Sequence, residues 1–256
     1  MHFLRYFRSL VVILSFAFFG AGALVINYFI FPAINLFAKK EQARRYCCNV
    51  IHKTWKFFCI LIEKTGSVRI VVSNPEKLKN IRGKIITANH PSFIDIVILI
   101  GLLPNTLCMA KKEIKKNIFM GNIVKSLYLI NDEDNERLLR ESSQILRAGY
   151  NIVIFPTGTR TEEGKPLKLH KGAALMALHN HADIIPIHID CDYKFLAKNH
   201  KIYDAGERVV TYTLTVNDEI KIENFTKQDL SKIRLRNRIN GEIKEKIQKQ
   251  PQIDFI

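Results

Sequence analysis

A histidine and an aspartate stand five residues apart in Asn89-His90-Pro91-Ser92-Phe93-Ile94-Asp95. Together they can supply a base that removes a proton from a hydroxyl. The carboxylate fixes one ring N–H, which leaves the other ring nitrogen as an acceptor near neutral pH. The preceding run Lys84-Ile85-Ile86-Thr87-Ala88 reads as a short buried strand, and Pro91 fits the first helical position, where its missing N–H costs nothing. Inside one helix, residues five apart point about 140° away from each other. Pairing therefore requires His90 outside the helix and Asp95 reaching back from its first turn. The same spacing also fits a plainer role, with His90 capping the helix and Asp95 as a favourable charge near its positive end.

A second group follows another apolar run. Asn151-Ile152-Val153-Ile154-Phe155 reads as a buried strand ending in Pro156-Thr157-Gly158-Thr159-Arg160. Gly158 permits close backbone approach or a positive φ, Thr157 and Thr159 bring hydroxyls, and Arg160 carries a fork that fits a phosphate. Taken alone, this is also the composition of an ordinary turn with a solvated arginine.

These groups need a frame that gathers strand ends. Strand-like runs at 69–72, 84–88, 106–110, 152–155, 184–189 and 209–216 alternate with helical stretches, the clearest of which is 135–149, closing on Gly149. Alternation of this kind implies an α/β layered domain with a largely parallel central sheet, whose ligand loops collect at the strand ends. The chain has 256 residues, enough for one such domain and an anchor. No repeat or low-complexity linker divides it. We expect an anchor and interfacial helix over 1–65 and the α/β domain with a basic C-terminal helix over 66–256.

No charge interrupts the apolar stretch 9–38. About 30 residues suffice to cross a bilayer once, or to enter it as a helical hairpin bent near Gly20, Gly22 and Pro32. A cleaved signal peptide, with Arg5 and Arg8 at its start and Ala21-Gly22-Ala23 as cleavage site, is disfavoured because the apolar run continues well past the small residues. Basic residues flank both ends, Arg5 and Arg8 before and Lys39, Lys40, Arg44 and Arg45 after, which suits a segment entering and leaving on the cytoplasmic side. The next stretch, 46–61, reads either as a helix at the headgroup level with Trp55 in the interface, or as an amphipathic helix docked on the domain.

The net charge is +15, from 39 Lys and Arg against 24 Asp and Glu. A nucleic-acid binder would show a recognised module or aromatics interleaved with its basic patch, and neither is visible. An anionic membrane surface is the better partner, and the C-terminal stretch 226–249 reads as a basic amphipathic helix. The five cysteines carry no disulfide or metal spacing and read as reduced, mostly buried thiols in a cytosol-facing protein. The eight histidines, His170, His179, His181, His188 and His200 among them, show no zinc-type pairing and read as structural or surface residues. No metal and no cofactor is expected.

Four blocks in order give the chain a resemblance to the glycerolipid acyltransferase family, the lysophosphatidic acid acyltransferase type, over roughly 67–216. Asn89-His90 with Asp95 resembles the catalytic His-x4-Asp. Ala110-Lys111-Lys112-Glu113-Ile114 followed by Phe119-Met120-Gly121 resembles a block that helps bind the acceptor phosphate. Phe155 to Arg160 resembles the phosphate-binding Glu-Gly-Thr-Arg block, and Ile184-Ile185-Pro186-Ile187-His188-Ile189 a late apolar strand with a central proline.

The resemblance implies direct transfer of a fatty acyl group from an acyl carrier protein or coenzyme A thioester to a hydroxyl of a lysophospholipid-like acceptor. His90 and Asp95 would be the catalytic pair, with Arg160, Gly158, Thr159, Thr157, Lys111 and Lys112 at the acceptor. The place implied is the cytoplasmic face of the cell membrane. A backbone N–H near Ser92 is a candidate oxyanion donor. Two positions depart from the family pattern. Thr157 stands where a Glu is usual, and Leu129-Ile130 run into Asn131-Asp132 instead of an Asp-Arg pair. Both resemble a bacterial subgroup that makes specialised lipids, and both point the acceptor away from lysophosphatidic acid itself. The alternatives are a same-family enzyme acting on a non-glycerol or polyene lipid, and an inactive membrane-bound scaffold for acyl carrier protein.

Overall fold

The computed structural model describes residues 2–132, 134–162, 166–198, 200 and 208–248. The chain opens with α1 (His2–Val25), a π-helical turn (Ile26–Ile30) and α2 (Phe31–Phe37), which form one continuous apolar helix. Gly20 and Gly22 lie inside it and Pro32 sits at the start of α2, so the hairpin bend expected at these residues is absent. A glycine with its helical hydrogen bonds intact is no hinge, and a proline in the first turn removes none of them. The chain reverses only at Ala38 and Lys39, both extended.

The reversal leads into α3 (Lys40–Lys64). Its apolar face, with Ile51, Trp55, Phe58 and Ile62, is buried, and the helix packs on α1, α2 and α4 (Asp95–Leu102). Trp55 is 4% exposed, so it does not lie in a membrane interface. The docked amphipathic helix is the arrangement found. Gly101 of α4 makes the contact close: a Cβ there would come within 3.1 Å of the Lys56 backbone nitrogen.

Seven strands form one sheet in the order β1-β7-β6-β2-β5-β3-β4. They are β1 (Val68–Ser73), β2 (Ile85–Ala88), β3 (Thr106–Lys111), β4 (Tyr128–Asn131), β5 (Asn151–Ile154), β6 (Ile184–Cys191) and β7 (Val210–Val216). Every neighbouring pair is parallel except β6 with β7. The central strands β2 and β5 are buried at every residue, as four-residue apolar runs covered on both faces must be.

Right-handed crossovers fix where the helices go. Moving outward from β2 to β3 and β4 puts α4 and α5 (Gly121–Leu127) on the face covered by α3. Moving back from β4 to β5 and β6 puts α6 (Asn135–Arg147) and α7 (Gly172–Asn180) on the other. Asp134 caps α6 by accepting the Arg137 N–H at 2.9 Å, and Gly149 at φ +83° ends it. After α8 (Glu223–Thr226), the basic α9 (Lys232–Gln248) buries Leu235, Ile239, Ile243 and Ile247 against β2, β6 and α7.

Candidate active site

The carboxyl ends of β2, β5 and β3 lie side by side in the sheet, and the candidate residues leave from those ends: His90 after β2, the 155–160 loop after β5, and Lys111 at the end of β3. Asn89 continues the β2–β6 ladder with its side chain. Its Oδ1 accepts the Ile189 N–H and its Nδ2 donates to the Ile189 carbonyl, both at 2.7 Å. That tie sets the exit of the chain from β2 and so the position of His90.

Helix α4 begins at Asp95, with Ile94 as its cap, so Pro91 is not its first residue. Residues 92–94 form a turn instead, because their polar groups bond elsewhere. Ser92 Oγ donates to the Phe195 carbonyl at 3.0 Å, and the Phe93 N–H donates to Leu196 at 3.2 Å. The pairing survives this shift. Asp95 Oδ2 accepts from His90 Nδ1 at 2.7 Å and from the Ser92 N–H at 2.8 Å. The Ser92 N–H is thereby committed to Asp95 and is not an oxyanion donor.

Asp95 is fully buried, and its Oδ1 has no hydrogen-bond partner. Burial pushes its carboxyl above the ordinary range, while the His90 hydrogen bond and charge, the Ser92 N–H and Arg160 pull it back. The His90 ring stacks on Phe155, centroids 4.2 Å apart and planes 19° from parallel. Held by Asp95 on one edge and Phe155 on one face, the ring keeps its Nε2 without a partner among the described residues and its side chain 19% exposed. An imidazole so fixed can accept a proton at one defined place.

The loop after β5 is a β-turn in which the Gly158 N–H donates to the Phe155 carbonyl at 3.0 Å, with Pro156 second and Gly158 fourth. Gly158 has φ +64°, and a Cβ there would sit 3.3 Å from His170 Nε2 and 3.8 Å from Lys111 Cε. The bare glycine thus sits in a slot between the His170 imidazole and the Lys111 stem. Thr157 Oγ1 donates to the Thr159 carbonyl at 2.7 Å, closing the loop with a hydroxyl where a carboxylate has no hydrogen to give. Thr159 itself is exposed.

Arg160 Nη1 donates to the carbonyls of Leu196 at 3.0 Å and Ala197 at 3.3 Å, and its other N–H groups have no partner among the described residues. The Thr161 N–H donates to the His90 carbonyl at 2.6 Å, joining the two loops. The Lys111 stem lies beside Gly158, and Lys111 and Lys112 are both exposed.

The structure adds three contributions that the sequence does not show. Phe155, part of the Phe155–Arg160 block, stacks on His90, and His170, which reads in the sequence as a structural or surface histidine, flanks Gly158. Segment 193–198 works mainly through main-chain carbonyls, with Leu196 held at φ +52° and the Tyr212 hydroxyl donating to Phe195 at 3.2 Å. A carbonyl has no side-chain signature. His170 carried a weak signal, since Lys171 and Gly172 follow it at a helix start.

Burial disfavours the thiolate form of the cysteines. Burial pushes the Cys191 thiol up to about 11, those of Cys48 and Cys59 to about 12, and that of Cys108 higher still.

The residue pattern of the family described as Acyltransferase matches residues 69–190. A 1-acyl-sn-glycerol-3-phosphate acyltransferase of Helicobacter pylori is 28% identical over 217 residues, 82% of this chain and 82% of that protein. One of Bacillus subtilis is 29% identical over 147 residues, 56% of this chain and 68% of its own length. The human 1-acyl-sn-glycerol-3-phosphate acyltransferase beta is 26% identical, and the match spans 60% of it. The crystal structure of a 1-acyl-sn-glycerophosphate (LPA) acyltransferase from Thermotoga maritima shares the fold, with a TM-score of 0.68 at 22% identity, over 97% of this chain and 100% of that one. With His90, the 155–160 loop and Lys111 leaving the same end of one sheet, and residues 69–190 matching the Acyltransferase family, the chain resembles these relatives as an O-acyltransferase.

Proposed function

We propose that the protein transfers a fatty acyl group from an acyl thioester, carried by acyl carrier protein or coenzyme A, to the free hydroxyl of a 1-acyl-sn-glycerol-3-phosphate-like lipid. The observation that carries this reading is the His90 ring, tied to Asp95 at 2.7 Å, stacked on Phe155 and with Nε2 unpartnered among the described residues. His90 Nε2 takes the hydroxyl proton as the oxygen attacks the thioester carbonyl carbon. The C–S bond then breaks, and the thiolate leaves with the proton returned by the imidazolium, giving ester and free thiol. Asp95 keeps Nδ1 protonated and faces the imidazolium charge. The high thiol pKa values disfavour an acyl-cysteine intermediate, which supports direct transfer.

Lys111 and the Arg160 N–H groups that have no partner among the described residues would hold the acceptor phosphate, with Gly158 allowing backbone approach and Thr157 and Thr159 shaping the loop. The names of the relatives support a glycerol-phosphate acceptor. The apolar helix Tyr6–Phe37, with a mean hydropathy of 2.5 and 17% of its apolar window buried, supports work at a membrane. The cytoplasmic face follows from the thioester donors, which are made there. Thr157 in the loop favours a second reading, in which the acceptor is a specialised lipid of another backbone.

The test is thiol release by purified protein from both donors against lysophosphatidic acid, other lysophospholipids and phosphate-free lipid alcohols. Release only with phosphate-bearing acceptors supports the proposal. Release only with phosphate-free acceptors supports the second reading, and none with any acceptor supports a scaffold.

A further inference from the structure

Residues 112–119 carry charge and apolar surface that the chemistry does not use. The turn Lys112–Lys116 presents Lys112, Lys115 and Lys116 against Glu113 alone. Directly after it, Ile118 is 63% exposed and Phe119 39% exposed. Large apolar side chains next to lysines, at a tip rather than in a core, match a surface that meets both the acyl and the headgroup layers of a bilayer.

This tip is fastened to the apolar N-terminal helix. Asn27, in the π-helical turn, is 2% exposed, and a polar amide buried there is tolerated only if bonded. Its Nδ2 donates to the Ile118 carbonyl at 3.2 Å, and its Oδ1 accepts the N–H groups of Asn122 at 2.7 Å and Ile123 at 3.2 Å. The Phe119 ring lies 3.6 Å from where a Gly20 side chain would begin. On either side of Asn27 in the chain, Val25, Tyr28 and Phe29 are exposed by half or more. The tip therefore extends an apolar surface that already exists.

We propose that residues 112–119 are a second membrane-contacting element, a foot that seats Ile118 and Phe119 in the acyl boundary of an anionic leaflet while Lys112, Lys115 and Lys116 meet its phosphates. This rests on the membrane reading above and adds a consequence. Lys111 adjoins the foot in sequence and Gly158 in space, so the foot sets the acceptor slot at headgroup height.

The experiment uses the full chain reconstituted in vesicles containing brominated lipids, which quench tryptophan emission on contact. The native Trp55 is buried and is the sole tryptophan, so the unaltered protein gives the baseline. Phe29→Trp reports the helix and Ile118→Trp the foot. We expect quenching of both. For Ile118→Trp it should weaken when phosphatidylglycerol is replaced by phosphatidylcholine, or when Lys115→Gln and Lys116→Gln are added. Quenching at Phe29→Trp without any at Ile118→Trp overturns the foot and leaves the anchor standing, whereas no quenching at either overturns the membrane reading itself. Quenching at Ile118→Trp that ignores lipid charge and both lysines overturns the anionic partner. An Ile118→Cys protein carrying an environment-sensitive label gives the same readout should tryptophan disturb the loop.

Discussion

Replacing Asp95 with asparagine separates the charge at the centre of the site from its shape. The Ser92 N–H and His90 Nδ1 both meet Oδ2, so the asparagine oxygen must occupy that place, and its NH2 falls where the orphaned Oδ1 lies. Both hydrogen bonds and the His90 tautomer are then kept, and what is lost is the negative charge facing the imidazolium. At about 4 Å and an effective dielectric constant near 20, that attraction is about 4 kcal/mol, or roughly 10³-fold in rate if fully lost.

Stability should respond differently. Burying an NH2 donor without a partner costs about 1–3 kcal/mol, offset by no longer burying a carboxylate. Asp95 is raised by burial, so its contribution to stability is fully present below about pH 3.9, the unfolded value, and is lost as pH rises through the folded one. The melting temperature of the native protein minus that of Asp95→Asn should therefore shrink from pH 4.5 to pH 8 (about half a unit above the unfolded value and well beyond it). Thiol-release kinetics and thermal melts across pH test both arms. A variant within tenfold of native turnover, or a gap that widens with pH, refutes the reasoning.

Arg160→Lys leaves one ammonium where a fork now serves the Leu196 and Ala197 carbonyls and retains further donors. It should raise acceptor KM by about tenfold or more while donor KM holds, and a change confined to the donor would contradict the assignment. Gly158→Ala forces φ +64° on an L-residue and puts a methyl against His170. We expect a loss of about 1 kcal/mol, or about 2–4 °C in Tm, together with weaker acceptor binding, and unchanged acceptor KM would show that the slot is not used. Leu10, Leu14 and Phe18 are exposed on one face of α1. Changing all three to lysine should cost about 3 kcal/mol each in a bilayer and shift the protein from salt-washed membranes to the soluble fraction, an outcome read by fractionation.

What was legible in the sequence had a local physical signature. Apolar runs between turn residues marked β1, β2, β3, β5, β6 and β7, because a buried strand needs little else. Four-residue β4 follows α5 with no intervening turn, so periodicity had no boundary to find. The His90 and Asp95 pairing followed from helix geometry, but the helix start slipped from Pro91 to Asp95, because the turn between them bonds to residues 195 and 196, about a hundred positions away. Trp55 looked interfacial by composition, and only the packing of α3 on α4 buries it. Asn27 was visible as an amide in an apolar run, yet its partners at 118, 122 and 123 were not.

The most direct test of base catalysis is thioester consumption by native protein and His90→Ala, each with and without lysophosphatidic acid. His90→Ala also strips the buried Asp95 of its imidazole partner and Phe155 of its stacking ring, so Tm should fall and turnover is compared on protein shown to be folded. The account predicts thiol release that requires acceptor, without a burst in its absence, and a fall of about 100-fold or more in His90→Ala. Near-native turnover in folded His90→Ala, or a stoichiometric burst of thiol before acceptor is added, would contradict direct transfer by His90.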